Sequence, residues 1–157
     1  MHRAGWLLQL ELPSNPELLC VVRSAMMRLT EELGFQAEAC RALTRAVDEA
    51  LANIICHAYR GRPGQPIHLF CRRTEVRTSG KERNGLEIVL IDRGSAANRK
   101  NLCGRSLEDV RPGGLGLHFI QGGVDVMQYQ RQARRNRLRL VKYLPTPKPE
   151  PRIAKGK

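Results

Sequence analysis

One apolar strand pattern, then two amphipathic helical patterns back to back, then strand patterns in neighbouring pairs: this order constrains the fold most. Residues 5–12 read as a first strand, closed by Pro13. Ser14 and Asn15 are helix-start residues, and Pro16 suits a first helical turn. Leu18, Leu19, Val22, Ala25, Met26 and Leu29 then recur at helical spacing as far as Leu33, and Gly34 is a natural stop. A second helix is predicted over residues 38–59, with Ala42, Leu43, Ala46, Val47, Ala50, Leu51, Ile54 and Ala58 on its apolar side. The run Gly61-Arg62-Pro63-Gly64 ends it. Strands are predicted over 67–76 and 86–91, joined by a long basic hairpin loop over 78–85 that includes Lys81 and Arg83. Residues 93–112 are polar with weak periodicity, and 113–121 look like a glycine-led helix. A last pair of strands, 124–131 and 138–144, is expected around a turn near Arg135 and Asn136. Neighbouring strands pair through hairpins and the helices cover one face. The expected fold is therefore an α/β (α+β) two-layer sandwich with a mixed, mostly antiparallel sheet and helices on one face.

Composition sets limits on function. At 157 residues, 41% of them hydrophobic, the chain has material for one core. We expect one folded domain over residues 1–144 and a disordered, basic, Pro-rich tail over 145–157, with Pro145, Pro147, Pro149 and Pro151. No apolar run approaches the ~18 residues of a spanning helix, so no membrane role is expected. The stretch around Trp6 and Leu10 is too short and too polar for a signal-peptide core. Five cysteines (Cys20, Cys40, Cys56, Cys71, Cys103) form neither a disulfide framework nor a zinc motif, which fits a reducing cytoplasm. In the helical patterns, Cys20, Cys40 and Cys56 read as small hydrophobes. The net charge of +12 is either a solvated basic surface or the mark of an anionic partner: nucleotide, nucleic acid or an acidic protein.

Three short motifs can carry chemistry. On the second helix, Glu49, Asn53 and His57 stand at i, i+4, i+8 and form one polar row. A carboxylate one turn before an amide can activate a nucleophile and help hold Mg²⁺, since both tasks want hard oxygen atoms. The same row also fits an ordinary solvated stripe. Asp92 ends an apolar strand, and Gly94 follows two residues later. A carboxylate there can accept a hydrogen bond from an exocyclic amine, or simply close a strand in an Asp turn. Arg111-Pro112-Gly113-Gly114-Leu115-Gly116-Leu117 opens an apolar helical segment, and free amides at such a start suit an anion. It is not a Walker loop, because no Lys-Ser/Thr pair follows the glycines.

Together and in this order, Glu49-x-x-x-Asn53, Asp92-x-Gly94 and Gly113-Gly114-Leu115-Gly116-Leu117 resemble the three nucleotide-binding boxes of the GHKL superfamily, whose domain is the Bergerat ATP-binding fold. The resemblance spans about residues 5–144. Locally it is closest to the bacterial anti-sigma-factor serine/threonine kinases. Glu49-Ala50-x-x-Asn53-x-x-x-His57-Ala58-Tyr59 looks like their second helix. Val124-Asp125-Val126-x-x-Tyr129 resembles the strand after their glycine box, and Asn136-x-Leu138-x-Leu140-x-Lys142 is similar to their last strand.

The resemblance implies ATP and Mg²⁺ as cofactors. It makes Glu49 the general base and Asn53 a Mg²⁺ ligand. Asp92 would accept from the adenine amine, with Gly94 beside the ring. Gly113, Gly114 and Gly116, with the amides of Leu115 and Leu117, would cradle phosphate. It further implies a STAS-domain antagonist as substrate, a sigma factor as sequestered partner, a possible homodimer and a cytoplasmic setting; His57 is expected to be structural or to support the site residues from behind. The chain departs from the family where the Asp box usually continues with a hydrophobic residue and an acid: Ala97 and Asn98 stand there. Arg105 and Arg111 have no certain register against the family. The alternative function is a catalytically silent, nucleotide-gated binding switch. A nucleic-acid module built on Arg131, Arg134, Arg135, Arg137, Arg139 and Lys142 is disfavoured, because aromatics for stacking are few.

Overall fold

The computed structural model describes residues 5–78, 81–96 and 115–145. Strand β1 (Trp6–Pro13) leads through a 3-10 turn (Pro16–Leu18) into helix α1 (Leu19–Glu32). Helix α2 (Ala37–Asn53) follows and continues as a π-helical turn (Ile54–Ala58). Then come β2 (Pro66–Thr78), β3 (Lys81–Asp92), helix α3 (Leu115–Gly123), β4 (Val126–Gln132) and β5 (Arg135–Tyr143). The sheet order is β1-β2-β3-β5-β4. Every described pairing is antiparallel, so the expected two-layer sandwich is found with its sheet more regular than anticipated. No described helix is long and apolar enough to cross a membrane.

Strand alternation explains the layers. On β3, Leu86, Ile88 and Leu90 point at the helices and are fully buried, while Glu87, Val89 and Ile91 take the other face. Met26 of α1 and Leu43, Val47 and Leu51 of α2 close over them with no exposed surface. Each such side chain contributes about 1.5–3 kcal/mol on leaving water. Cys71 and Cys40 are buried in this core, and burial pushes the Cys71 thiol up to about 12. Cys20 and Cys56 are exposed, so of the three helical cysteines only Cys40 packs as a small hydrophobe.

Four local predictions change. Of the loop predicted over 78–85, Thr78 and residues 81–85 are strand: Thr78 pairs with Lys81, and the ladder runs unbroken to His68 and Ile91. Thr74, Val76 and Thr78 alternate as β-branched residues, and backbone pairing tolerates the charges between them. The last turn falls at Ala133 and Arg134, not at Arg135 and Asn136; Ala133 supplies the left-handed corner (φ 52°) without the glycine or asparagine usual in a hairpin turn. Asn15 does not cap a helix with its side chain; its Oδ1 accepts from Gly64 N, while Ser14 Oγ donates to Arg62 O. Finally, the second helix is not one α-helix to Tyr59. The π turn widens it after Asn53 and takes the exposed His57 out of the row with Glu49 and Asn53.

The helix-free face of the sheet carries Trp6, Phe70, Arg72, Glu87 and Arg139. The Trp6 and Phe70 rings lie 5.3 Å apart. Glu87 is 1% exposed and is held between the guanidinium groups of Arg72 and Arg139, so Arg139 is not free for a nucleic acid. Burial alone would raise the Glu87 carboxyl, but the two arginines overcome it and hold it below its usual range. A carboxylate lowered in the folded state stabilises fully above the unfolded value of 4.5, and that contribution fades as pH falls through the folded value. Glu87→Gln should therefore cost about 1–3 kcal/mol at neutral pH, below the ~3–5 kcal/mol of a fully buried pair, because Arg72 can turn to water. Urea midpoints measured against pH should converge with the wild type below that window; a constant gap would contradict the assignment.

Candidate nucleotide site at the end of β3

β3 ends in Asp92, and the chain that leaves it is stitched to two neighbours. Asp92 is 4% exposed. Its Oδ1 accepts from Gly94 N at 2.8 Å and from Asn136 Nδ2 at 2.7 Å. Burial pushes its carboxyl above the ordinary value, opposed by those two hydrogen bonds and by the charge of Arg131. Among the described residues nothing hydrogen-bonds Oδ2, which leaves one oxygen to accept from a ligand.

The first neighbour is the end of the α2 helix. A Cβ on Gly94 would fall 2.5 Å from the Ala58 carbonyl carbon, and Ser95 N donates to Ala58 O at 2.8 Å. Gly94 thus has a reason in the fold that needs no ligand: only a bare Cα lets this loop lie on the π turn. Tyr59, 2% exposed, reaches across with its hydroxyl, which donates to Pro66 O at 2.6 Å and accepts from Arg93 N at 2.9 Å. Burial raises its phenol above the usual 10.0, so it stays neutral. Tyr59→Phe leaves a backbone donor and a carbonyl beside Asp92 without this partner, and should cost about 1–3 kcal/mol of stability. Chemical denaturation measures it; a loss below about 0.5 kcal/mol would show that water replaces the hydroxyl.

The second neighbour is the β4–β5 hairpin. Asn136 stands opposite Asp92 in the β3–β5 register and is 3% exposed. Its Nδ2 also donates to Ser95 O at 3.0 Å, and its Oδ1 accepts from Tyr129 OH at 2.7 Å and Arg131 Nη1 at 2.6 Å. Sequence reasoning put Asn136 in a turn and left Tyr59 and Tyr129 without a task. The alternation Asn136-x-Leu138-x-Leu140 carried the missing signal, since it puts Asn136 on the face of the buried Leu140.

Glu49 and Asn53 lie one turn apart near the end of α2, both half-buried. Neither makes a hydrogen bond or ion pair with a described residue, although the adjacent Asp48 is bound by Arg23 at 3.0 Å. α3 packs on the same helix, with Gly123 against Ala42 and Ala46 and the Phe119 ring 3.6 Å from the Arg45 guanidinium. Leu115, Gly116 and Leu117 form the first turn of α3. Gly113 and Gly114 lie outside the described residues, as do Ala97, Asn98, Arg105, Arg111 and residues 146–157 of the tail. The helix that carries Glu49 and Asn53 thus ends, at Ala58 and Tyr59, against the loop that follows Asp92.

Residues 12–142 match the histidine kinase-like ATPase domain family. The chain belongs to this family. Among the relatives of this ATPase-domain chain is the serine-protein kinase RsbW of Bacillus pumilus, 25% identical over 83% of this chain and 82% of its own length. RsbW of Listeria innocua is 32% identical over 74% of each chain. The serine/threonine-protein kinase BtrW of Bordetella bronchiseptica is 35% identical over 64% of this chain and 68% of its own. The five-stranded antiparallel sheet with helices agrees with such a domain, and membership implies the use of ATP.

Proposed function

We propose that this domain binds ATP with Mg²⁺ and transfers the γ-phosphate to a serine or threonine hydroxyl of a STAS-domain anti-sigma-factor antagonist. In the same reading it sequesters a sigma factor in the cytoplasm, as a possible homodimer. The observation that carries the reading is the Glu49–Asn53 pair, engaged by no described residue, on the helix whose end is stitched to the Asp92 loop. Relatives named as serine-protein kinases support the reaction class.

Each residue then has a task. Asp92 Oδ2 accepts from the adenine 6-amine, and Gly94 keeps the loop low beside the ring. The first amides of α3, at Leu115, Gly116 and Leu117, have no intrahelical acceptor and can donate to phosphate, with Gly113 and Gly114 preceding them. Mg²⁺, when bound, would supply charge neutralisation at the phosphates. Asn53 would hold it through its amide oxygen, a hard ligand with no hydrogen-bond partner among the described residues. Glu49 takes the proton of the attacking hydroxyl, which needs a carboxylate that no arginine or lysine already holds.

The test is direct. Purified protein with γ-labelled ATP, Mg²⁺ and its cognate STAS partner should move label onto that partner. Binding of adenine nucleotide with no transfer under any condition would select the silent, nucleotide-gated switch, which the Ala97 and Asn98 departures favour. Failure to bind ATP or ADP would remove both readings.

A further inference from the structure

Arg131 belongs to none of the nucleotide boxes, and by sequence alone it counts only as one more basic residue on the last hairpin. The fold sets it apart. Its Nη1 bridges two acceptors: Asn136 Oδ1 at 2.6 Å and the backbone oxygen of Gly94 at 3.0 Å. It therefore ties β4 to both the residue that grips Asp92 and the loop that follows it.

The amide of Asn136 has one consistent orientation. Its nitrogen faces three oxygen acceptors, Asp92 Oδ1, Ser95 O and, at 3.4 Å, Gly94 O. Its oxygen faces two donors, Tyr129 OH and Arg131 Nη1. A flipped amide would set oxygen against a carboxylate and N–H groups against a guanidinium. With Asn136 so held, Asp92 Oδ1 is occupied by two donors and Oδ2 is the oxygen that meets a ligand.

What Oδ2 can recognise depends on its proton. An ionised carboxylate only accepts, so it pairs with the 6-amino group of adenine. A protonated one offers O–H and pairs with the 6-oxo group of hypoxanthine or guanine. Among the described residues, the hydrogen bonds from Asn136 Nδ2 and Gly94 N favour the ionised form of Asp92 most, and the charge of Arg131 adds to them. Asn136 on β5 is uncharged, and Tyr59 at the end of the α2 helix is neutral. Arg93 is the next residue in the chain and is exposed. Among the described residues, Arg131 is the cation whose charge favours ionised Asp92 against the effect of burial, and it also holds Asn136, the donor to Oδ1.

We propose that Arg131 is a specificity-determining positioning residue. By clamping the Asn136 amide and the Gly94 carbonyl, it keeps Asp92 as an acceptor that takes a 6-amino purine and refuses a 6-oxo purine. This rests on the adenine-site reading above, and the experiment separates the two.

ADP and IDP differ only at purine position 6, where the amino group becomes oxo and N1 gains a proton. Their dissociation constants are measured by calorimetry for the full chain and for Arg131→Met and Arg131→Lys, with folding checked by thermal melts. The wild type should prefer ADP by about tenfold or more, the worth of one charge-assisted hydrogen bond. In Arg131→Met that preference should shrink about tenfold, and should shrink further as pH is lowered from about 8 to about 5.5, since each unit of pKa shift changes the protonated fraction tenfold. The wild-type preference should vary less than about threefold over that range, and Arg131→Lys, which keeps the charge, should stay within about threefold of wild type. A role in folding alone would lower the melting temperature and leave the ratio untouched. An unchanged ratio in folded Arg131→Met overturns the proposal and leaves the ATP site standing. A Lys variant as impaired as the Met variant overturns the assignment to the cation. A wild type that binds neither nucleotide overturns the adenine site, and Arg131's role with it.

Discussion

Glu49→Ala should lower phosphoryl transfer by about 10²–10⁴-fold while ADP affinity changes less than about threefold. The asymmetry follows from where Glu49 sits. It is half-buried on α2 with no hydrogen bond or ion pair to a described residue, so the fold does not lean on it. Its removal should leave stability within about 0.5 kcal/mol. Asp48 next to it is engaged by Arg23, so the same substitution there should touch a surface ion pair and not the rate. Single-turnover transfer from labelled ATP to the STAS partner, with ADP binding measured in parallel, checks both halves. Transfer by Glu49→Ala at the wild-type rate would remove Glu49 from the mechanism.

Asp92→Asn should weaken ADP binding by about 100-fold and turn the preference toward IDP. The substitution is nearly isosteric. The new amide keeps its oxygen where Gly94 N and Asn136 Nδ2 already donate, because its nitrogen would clash electrostatically there. The atom facing the pocket then changes from acceptor to donor, and meets the adenine amine with an N–H. Stability should move the other way. Asp92 has its carboxyl raised in the folded state, so ionising it opposes folding. That penalty is absent well below the unfolded value of 3.8, grows as pH rises through the folded value, and is constant above. The Asn variant carries no such penalty, so at neutral pH it should melt at the same temperature or higher. Thermal melts across pH with calorimetry for ADP and IDP test both claims. A variant that binds ADP as the wild type does would show that Oδ2 is not the acceptor.

The parts of the site legible in the sequence are those written in local periodicity. Glu49 and Asn53 follow from helical spacing on α2, and Asp92 from the end of an apolar strand. Pair identity was not legible where it depends on register across the sheet. Asn136 meets Asp92 only because the β4–β5 turn falls at Ala133 and Arg134, two residues earlier than the residue types suggest. Tyr59 was visible as part of a motif, yet its bonds to Pro66 O and Arg93 N join three elements distant in the chain. Gly94 could be read as room for a ring, while its contact with Ala58 exists only once the π turn has formed. Part of β3 hid for a similar reason: the charges from Lys81 to Arg83 look like loop, but the ladder with β2 continues through them.

The wide turn at Ile54–Ala58 makes this stretch of chain intolerant of a change in length. Its closing bond, Tyr59 N to Ile54 O at 2.9 Å, spans one residue more than an α-helix uses. Deleting any residue between Ile54 and Ala58 would let an ordinary helix form, but would swing everything after it by about 100° around the axis. Tyr59 would lose Pro66 and Arg93, and the Ala58 carbonyl would turn away from Ser95. Point substitutions on the exposed positions Cys56 and His57 can drift freely, whereas single-residue deletions there should vanish from any functional library.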